Sequence, residues 1–215
     1  MSGSRQRLQL RAPQGGLEGF PGWTLRRNRR LHRAHHADRC PWWFSSDGSH
    51  RFDLPTPNGT CYLASDTESA VRERWGEELI GLGFVPYAVA ATTVASALTV
   101  PSGGKVADCT AREAAKHRVS REIGTTGDYQ ITQRWAEALG PDGAGFSGVR
   151  YQPRFSTDSR TWALGLFGDA GERADWITDP SPRSGFAIAA DLGIKVAEPP
   201  TVGELTADGV LHDEV

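Results

Sequence analysis

The chain has 215 residues, which is enough for one domain of ordinary size with a sizeable core. A hydrophobic content of 38%, combined with 25 glycines and 13 prolines, predicts a loop-rich globular protein and excludes a disordered or fibrous one. The formal net charge of -2 hides an asymmetry, because the first 33 residues carry eight arginines against a single glutamate, whereas the last residues are acidic. The two ends therefore differ in the partners that they would favour.

Cysteine usage and hydropathy predict a soluble, cytoplasmic protein. Cys40, Cys61 and Cys109 form an odd, widely spaced set, which indicates neither a disulfide framework nor a zinc ribbon. No run approaches the roughly 18 apolar residues of a membrane span. The basic N-terminal stretch is not followed by the apolar segment of a secretory signal.

The N-terminal part, residues 1–28, is rich in Arg, Gln, Gly and Pro and has no hydrophobic periodicity. This composition predicts a basic, flexible extension, followed by one folded domain over residues 29–215. A nucleic-acid-binding role for this extension is the weakest of the functional alternatives, because a basic tail is also a common solvated feature.

The folded part alternates short elements without the regular rhythm of a parallel α/β sheet. The sequence predicts a strand at 61–64, a helix over 65–80 and one or two strands within 84–100, then helices over 111–124 and 128–140 that end at glycines. Strands at 146–151 and 162–167 follow, and the remainder is predicted to be loop and weak strand. This mixture favours an α+β fold.

The helix over 65–80 is the most clearly marked element. Ser65 and Glu68 match a capping box, and Asp66 and Thr67 are also good N-cap residue types. Its N-terminus is therefore well defined, although the cap residue itself is left open among these candidates.

One face of the same helix is apolar, because Val71, Trp75 and Leu79 recur every four residues. Glu73 lies about 200° around the helix from Val71, at roughly 100° per residue. The helix alone favours a solvated glutamate at this position, but Glu73 can also point into a cleft without disturbing the core.

A wider pattern surrounds Glu73. Arg51, Tyr62 and Glu73 are separated by equal steps of 11 residues and follow a segment that contains Arg33. The pattern consists of LHRAH at 31–35, RFD at 51–53, CYLASDTESAVRE at 61–73, DYQITQRWAEAL at 128–139, GVRYQPRFS at 148–156 and WALGLF at 162–167. In this ordered set the chain resembles the RES family, whose members include toxins of bacterial toxin–antitoxin pairs.

The resemblance implies an ADP-ribosyltransferase-like fold, in which two small sheets flank an NAD cleft. It further implies an enzyme that cleaves the nicotinamide–ribose bond of NAD with water or phosphate, without a metal. A cognate antitoxin is the protein partner that the resemblance suggests, whereas nucleic acid and membranes are not expected as partners.

The resemblance also implies roles for individual residues, and the chemistry suits them. Arg33 and Arg51 would hold the pyrophosphate through the planar donor fork of a guanidinium group. Tyr62 would stack on the nicotinamide or the ribose and fix orientation with its hydroxyl group. Glu73 would be catalytic, by stabilising the positive charge that grows on the ribose as nicotinamide leaves. The structural alternative for Arg51 is an ion pair with a nearby aspartate, Asp53 or Asp66.

One position departs from the family pattern. A serine is expected two residues after Tyr151, but Pro153 stands there, and proline offers neither a hydroxyl group nor a backbone N–H. Ser156 is the residue that could take over substrate binding if the loop bends back. The departure motivates a second hypothesis, a catalytically impaired NAD-binding module. A third is an ADP-ribosyltransferase that acts on a macromolecule.

A possible metal cluster is rejected at the sequence level. His32, His35, His36 and Cys40 lie close together, but the remaining cysteines and histidines show no paired spacing that would complete a zinc site. Glycines at 103–104 and 143–145 are predicted to form turns, because neither pair follows the strand-to-helix pattern of a dinucleotide fingerprint.

Overall fold

The computed structural model describes residues 9–198. They form twelve strands: β1 (Gly22–Leu25), β2 (Arg30–His36), β3 (Trp43–Phe44), β4 (Asn58–Ala64), β5 (Val85–Pro86), β6 (Thr93–Thr99), β7 (Gly104–Asp108), β8 (Gly148–Tyr151), β9 (Ala163–Asp169), β10 (Gly171–Glu172), β11 (Arg183–Ser184) and β12 (Val196–Ala197). The α-helices are α1 (Thr67–Gly81), α2 (Tyr87–Thr92), α3 (Tyr129–Leu139) and α4 (Gly185–Leu192). This mixture confirms the α+β prediction.

Eight of the strands form one sheet in the order β1-β7-β8-β9-β4-β2-β6-β11. Pairing is continuous within its two halves: β4 pairs with β9 along seven residues, and β2 pairs with β6 along seven. The halves meet at β4 and β2, which pair at His32 and Ala64. The sheet is therefore pinched at its centre, and the space where β2 and β4 separate is the position of the cleft described below.

Three apolar clusters hold these elements together. The first packs α3 and the N-terminal segment against one half of the sheet, around Phe52, Trp135 and Val149. The second lies around Leu31, Trp42 and Leu164, and the third packs α1, α2 and α4 around Val71, Trp75 and Ile188.

Several elements match the sequence prediction. Helix α1 begins after Asp66, whose side chain accepts a hydrogen bond from the backbone N–H of Ser69, so Asp66 is the N-cap among the candidates. Val71 and Trp75 are fully buried, as the apolar stripe predicts. Helix α3 is capped by Asp128 and ends at Gly140.

Residues 9–28 are not a flexible extension, which corrects the prediction for this segment. Strand β1 pairs with β7 along four residues. Leu10 and Phe20 are buried, the backbone N–H of Leu10 donates to Glu122, and the Trp135 indole donates to the carbonyl of Arg11 at 2.8 Å. Long-range burial fixes a segment that has no local periodicity. Residues 1–8 lie outside the described part.

Three further predictions of local structure were wrong. Residues 84–100 contain helix α2 between two strands, because the apolar run AVAA packs in the third cluster as a helix. Residues 111–124 form two 3₁₀ helices, Arg112–His117 and Arg121–Gly124, separated at Arg118, whose φ of 64° lies in the left-handed region. Helix α4 occupies part of the stretch predicted to be loop and weak strand.

Within residues 9–198, no helix is both long and apolar enough to cross a bilayer.

Candidate functional site

A cleft of about 440 Å³ opens beside the pinch in the sheet. Its wall combines side chains of β2 and β4, one face of α1, the start of α3, and the loop that follows β8. Four of the predicted site residues line this cleft together: Arg33, Arg51, Tyr62 and Glu73. Residues that lie up to forty positions apart in the chain therefore share one wall.

Tyr62 is braced by the loop that carries Arg51. Its hydroxyl donates to Asp53 Oδ1 at 2.8 Å and accepts from the backbone N–H of Phe52 at 2.8 Å. Both hydrogen bonds are internal to the protein, so the hydroxyl is already engaged, and the ring is the part of Tyr62 that is open to a ligand. Burial raises the pKa of Tyr62 well above its usual value, and the neighbouring Asp53 raises it further.

Arg51 is nearly buried, at 7% exposure, yet it forms no ion pair with a carboxylate of residues 9–198 within 4 Å. Its Nη1 donates to the carbonyl of Thr126, and its guanidinium lies over the ring of Tyr129 at 5.1 Å. The alternative of an ion pair with Asp53 or Asp66 is therefore not what the structure contains. Asp53 instead holds Tyr62 and Ser45, and Asp66 caps α1.

Arg33 is tied into the protein on one side of its guanidinium group. Nη1 donates to the carbonyls of Pro41 and Trp43, both at 2.8 Å, and contacts the Cys61 thiol at 3.0 Å. Arg33 thereby connects β2 to β3 and β4 at the place where β2 and β4 have separated. It braces the cleft wall as well as lining it.

Glu73 lines the cleft together with Ala70 and Glu77, its neighbours three and four residues away on α1, and with the adjacent Arg74. Its Oε1 accepts a hydrogen bond of 3.0 Å from the backbone N–H of Phe155, in the loop after β8. The carboxylate is therefore held in place from across the cleft.

Burial raises the pKa of Glu73 above its ordinary value of 4.5. The Phe155 N–H opposes this rise, as do the positive charges of Arg51 and Arg154. The carboxylate is thus partly desolvated and is surrounded by groups that favour its ionised form. Such an environment strengthens its interaction with a cation in the cleft.

The loop after β8 reaches Glu73 because Gly76 leaves room for it. A Cβ atom added at Gly76 would lie 2.1 Å from the ring of Phe155. Phe155 therefore packs directly on the backbone of α1, one turn beyond Glu73. Pro153, the departure from the family pattern, is buried within this loop, and the N–H that binds Glu73 comes from Phe155, two residues further on.

Ser156 does not line this cleft. Its hydroxyl exchanges a hydrogen bond of 2.8 Å with Thr161, and it borders a neighbouring pocket with Asp66, Glu68 and Arg72. In this structure the loop does not bend back far enough for Ser156 to replace the serine that Pro153 displaces.

Sequence reasoning did not assign a role to Tyr151, which the structure places at the cleft. Tyr151 is 4% exposed, packs on Phe52 with ring centroids 4.8 Å apart, and makes no hydrogen bond through its hydroxyl to any residue in the described range. Burial raises its pKa, and the charge of Glu73 raises it further, whereas Arg51 lowers it. The sequence showed that Tyr151 belongs to the GVRY strand, but it did not show to which face of the sheet the Tyr151 side chain points.

Asp47, His50 and Asp53 bring metal-ligand side chains within 4.8 Å of one another at the edge of the cleft. Hydrogen bonds inside the loop account for the cluster, because Asp47 accepts from Ser49 and Asp53 accepts from Ser45, Tyr62 and the His50 N–H. The bonds from Ser49, together with one of 3.2 Å that the Ser45 hydroxyl donates to Asp47, lower the pKa of Asp47 to about 2.

The arrangement defines an α+β fold with a cleft at a pinched sheet, and comparison with known proteins identifies its family. The model of the RES domain family matches residues 28–187. The chain therefore belongs to the RES family. No curated protein matches it.

A solved structure supports the fold. A chain from the crystal structure of the M. tuberculosis MbcT–MbcA toxin–antitoxin complex superposes with a TM-score of 0.55 at 13% identity, covering 79% of this chain and 91% of the other. The expected ADP-ribosyltransferase-like fold is confirmed. The resemblance implied two small sheets, but the structure contains one eight-stranded sheet, because β2 and β4 pair at His32 and Ala64 and join the two halves.

Proposed function

We propose that this protein is an NAD-degrading enzyme that cleaves the nicotinamide–ribose bond and acts as the toxin of a toxin–antitoxin pair. The observation that supports this best is the position of Glu73, which is half-buried in a cleft, fixed by the Phe155 N–H, and accompanied by Arg51 and Tyr62. Membership of the RES family and the fold shared with a chain of a toxin–antitoxin complex add to it.

The chemistry follows from charge. As nicotinamide leaves, positive charge develops on the ribose, and a desolvated carboxylate beside it stabilises that charge more strongly than one in water. The departing group is neutral nicotinamide, formed from a cationic pyridinium, so no strong general acid is needed. Glu73 has the position and the environment for this role.

The remaining residues would bind and orient the dinucleotide. Arg51 would bind the pyrophosphate with the part of its guanidinium that does not contact Thr126, and Arg33 would do so through Nη2. The ring of Tyr62 would stack on nicotinamide or ribose, because its hydroxyl is occupied by Asp53 and Phe52. The hydroxyl of Tyr151, which has no hydrogen-bond partner among residues 9–198, suits the orienting role instead.

Pro153 motivates the second candidate, a binding module that has lost catalysis. The contact between Phe155 and Glu73 argues for the active enzyme, since the loop holds the carboxylate without a serine at position 153. An ADP-ribosyltransferase would use the same site and differ in the acceptor.

The test is the identity of the products that the purified full-length protein forms from NAD, with and without inorganic phosphate. We expect free nicotinamide, together with ADP-ribose if water is the acceptor or a phosphorylated ADP-ribose if phosphate is. Label transferred from NAD to protein would favour the transferase. NAD binding without any nicotinamide release would favour the impaired module.

A partner that inhibits the enzyme is part of the proposal. We expect growth arrest when this chain alone is expressed in a bacterium, relieved by co-expression of a protein that binds over the cleft. Unimpaired growth with a protein that cleaves NAD in vitro would remove the toxin assignment and leave the enzymatic one.

A further inference from the structure

His50 lines the cleft, and its side chain is 56% exposed. Its imidazole ring lies against the ring of Tyr62, with centroids 5.4 Å apart and an angle of 35° between the two planes. A ribose bound at the Tyr62 ring would therefore have the His50 imidazole beside it. The chemistry that His50 could perform there depends on which of its ring nitrogens carries the proton.

The hydrogen bonds around Nδ1 of His50 come from two serine hydroxyl groups. Nδ1 lies 2.8 Å from Ser49 Oγ and 3.3 Å from Ser45 Oγ. Each hydroxyl has a single proton. Ser49 donates its proton to Asp47 at 2.5 Å. Ser45 donates its own to Asp53 at 3.0 Å or to Asp47 at 3.2 Å. Neither serine can therefore also donate to His50.

The proton between His50 and Ser49 consequently belongs to the imidazole. Asp47 can only accept hydrogen bonds at neutral pH, because its pKa is about 2. Since Ser49 has given its proton to Asp47, we assign Nδ1–H as the donor in the 2.8 Å contact. In neutral His50 the lone pair is then on Nε2, which has no hydrogen-bond partner among residues 9–198.

A buried carboxylate lies beside the same ring nitrogen. Asp53 Oδ2 is 3.4 Å from Nδ1, and the Asp53 side chain is only 1% exposed. Asp53 is itself held in place, since the Tyr62 hydroxyl donates to Oδ1 and the His50 backbone N–H donates to Oδ2. A negative charge at this position stabilises the imidazolium that forms when Nε2 accepts a proton. Orientation and charge thus both favour Nε2 as a proton acceptor.

We propose that His50 is the general base that activates a water molecule as the acceptor of the ADP-ribosyl group. This inference rests on the proposed function, since it concerns the same cleft. Water loses one proton to Nε2 of His50 while its oxygen forms a bond to the C1′ carbon of the ribose. The bond from C1′ to the pyridinium nitrogen breaks, and both of its electrons go to nicotinamide. His50 then releases the proton to solvent, to which its side chain is open.

The two cleft residues would divide the work between them. Glu73 stabilises the positive charge on the sugar, whereas His50 acts on the attacking oxygen. An anionic acceptor such as azide has no proton to lose and needs no base. An oriented base is useful only for an acceptor that must be deprotonated, and this difference provides the test.

The first measurement is nicotinamide release from NAD by the full-length protein in phosphate-free buffer, with and without sodium azide. The variant is His50→Asn, because asparagine keeps an N–H donor for Ser49 and has no basic nitrogen. We expect kcat to fall by about 10²-fold, the lower end of general-base effects, with KM for NAD within a few-fold of the wild type. Azide should restore release in His50→Asn, with azido-ADP-ribose as the product, but not in Glu73→Gln. His117→Gln, which alters a histidine that packs on Phe20 outside the cleft, is the control.

The second measurement does not depend on turnover. The ¹⁵N resonances of the His50 imidazole, assigned by their loss in His50→Asn, report which ring nitrogen carries the proton. We expect the proton on Nδ1 when the ring is neutral, and a loss of this preference in Ser49→Ala.

Wild-type kcat in His50→Asn would overturn the proposal, as would a loss that azide does not restore in a variant with the wild-type melting temperature. A proton on Nε2 would also overturn it. A wild type that releases nicotinamide only when phosphate is added would overturn it and leave the proposed function intact. A wild type that releases no nicotinamide with water, azide or phosphate would count against the proposed function instead, and the resonances would still decide whether His50 is oriented as a base.

Discussion

At the scale of single residues, the environment of Glu73 links its function to stability. Burial raises the pKa of Glu73 in the folded protein, so its protonated form is the one that the fold favours. The stabilisation is complete below the unfolded pKa and is lost as the pH rises through the folded pKa. At neutral pH the ionised carboxylate therefore destabilises the protein.

We expect Glu73→Gln to raise the melting temperature at pH 7, because glutamine keeps an acceptor for the Phe155 N–H and carries no charge. The gain should shrink as the pH falls from 7 towards 4.5 and vanish below 4.5, where the wild-type carboxyl is protonated in both the folded and the unfolded state. Thermal melts at both pH values test this, with the exposed Glu68→Gln as the matched control on the same helix. A destabilised variant at pH 7 would contradict the buried-carboxylate account.

Arg51 has a measurable effect on the same carboxylate. Its positive charge lowers the pKa of Glu73, although burial keeps that pKa above 4.5. Activity that needs ionised Glu73 should therefore fall as the pH drops through this pKa. We predict that Arg51→Gln moves this acid limb of the kcat/KM profile to higher pH, besides lowering kcat/KM by roughly tenfold or more. Arg160→Gln, in an exposed loop pair with Asp158, serves as the control. An unmoved acid limb would mean that Arg51 acts on substrate alone.

The sequence identified most of the clustered residues but few of their contacts. Arg33, Arg51, Tyr62 and Glu73 were identified through the resemblance of the ordered motifs to the RES family, and they do share the cleft. The hydrogen bond from Phe155 to Glu73 joins residues 82 positions apart, and the position of the Tyr151 hydroxyl at the cleft depends on which way a strand faces. No local pattern encodes either.

At the scale of elements, the contact between α1 and the loop after β8 controls the geometry of the site. Gly76 has no side chain, and Phe155 fills that space. Since the Phe155 N–H holds Glu73, any side chain at position 76 should displace both the ring and the donor.

We therefore predict that Gly76→Ala lowers kcat by about tenfold or more, through misplacement of Glu73, even though alanine is the better helix former. Gly81→Ala is the control, because a Cβ atom at Gly81 meets nothing within 4 Å. Full activity in Gly76→Ala would show that the loop contact does not position the carboxylate. Full activity with a lowered melting temperature would confine the effect of Gly76 to packing.

Elements with strong local signals were predicted and those without them were not. Helices α1 and α3 carry caps and apolar periodicity, and strands β4 and β9 are apolar runs of suitable length. Helix α2 was mistaken for strand because short apolar runs rich in Val and Thr fit both structures. Helix α4 had its signals, the N-cap Ser184 and the C-terminal Gly193 with φ 63°, but they were not recognised.

At the scale of the whole molecule, the N-terminal segment belongs to the folded domain. Phe20 packs against Trp135 and Phe146, with ring centroids 6.4 and 6.0 Å away, and β1 forms the edge of the main sheet. The composition of the segment concealed this, since its few apolar residues find partners that are distant in sequence.

We predict that Phe20→Ala lowers the free energy of unfolding by about 3–5 kcal/mol, as expected for a buried aromatic residue. Ile80→Ala, at a position that is 77% exposed, should change it by less than about 0.5 kcal/mol. Chemical denaturation of both variants checks this. If Phe20→Ala were as stable as Ile80→Ala, residues 9–28 would again have to be regarded as a loosely attached extension.

The most direct test of the central claim compares NAD binding and nicotinamide release in the wild type and in Glu73→Gln. We predict that the variant binds NAD within a few-fold of the wild-type affinity, while its rate of nicotinamide release falls by about 10²–10³-fold, the loss expected when one stabilising group of the transition state is removed. Unchanged release in Glu73→Gln, or a wild-type protein that binds NAD and releases no nicotinamide, would contradict the account.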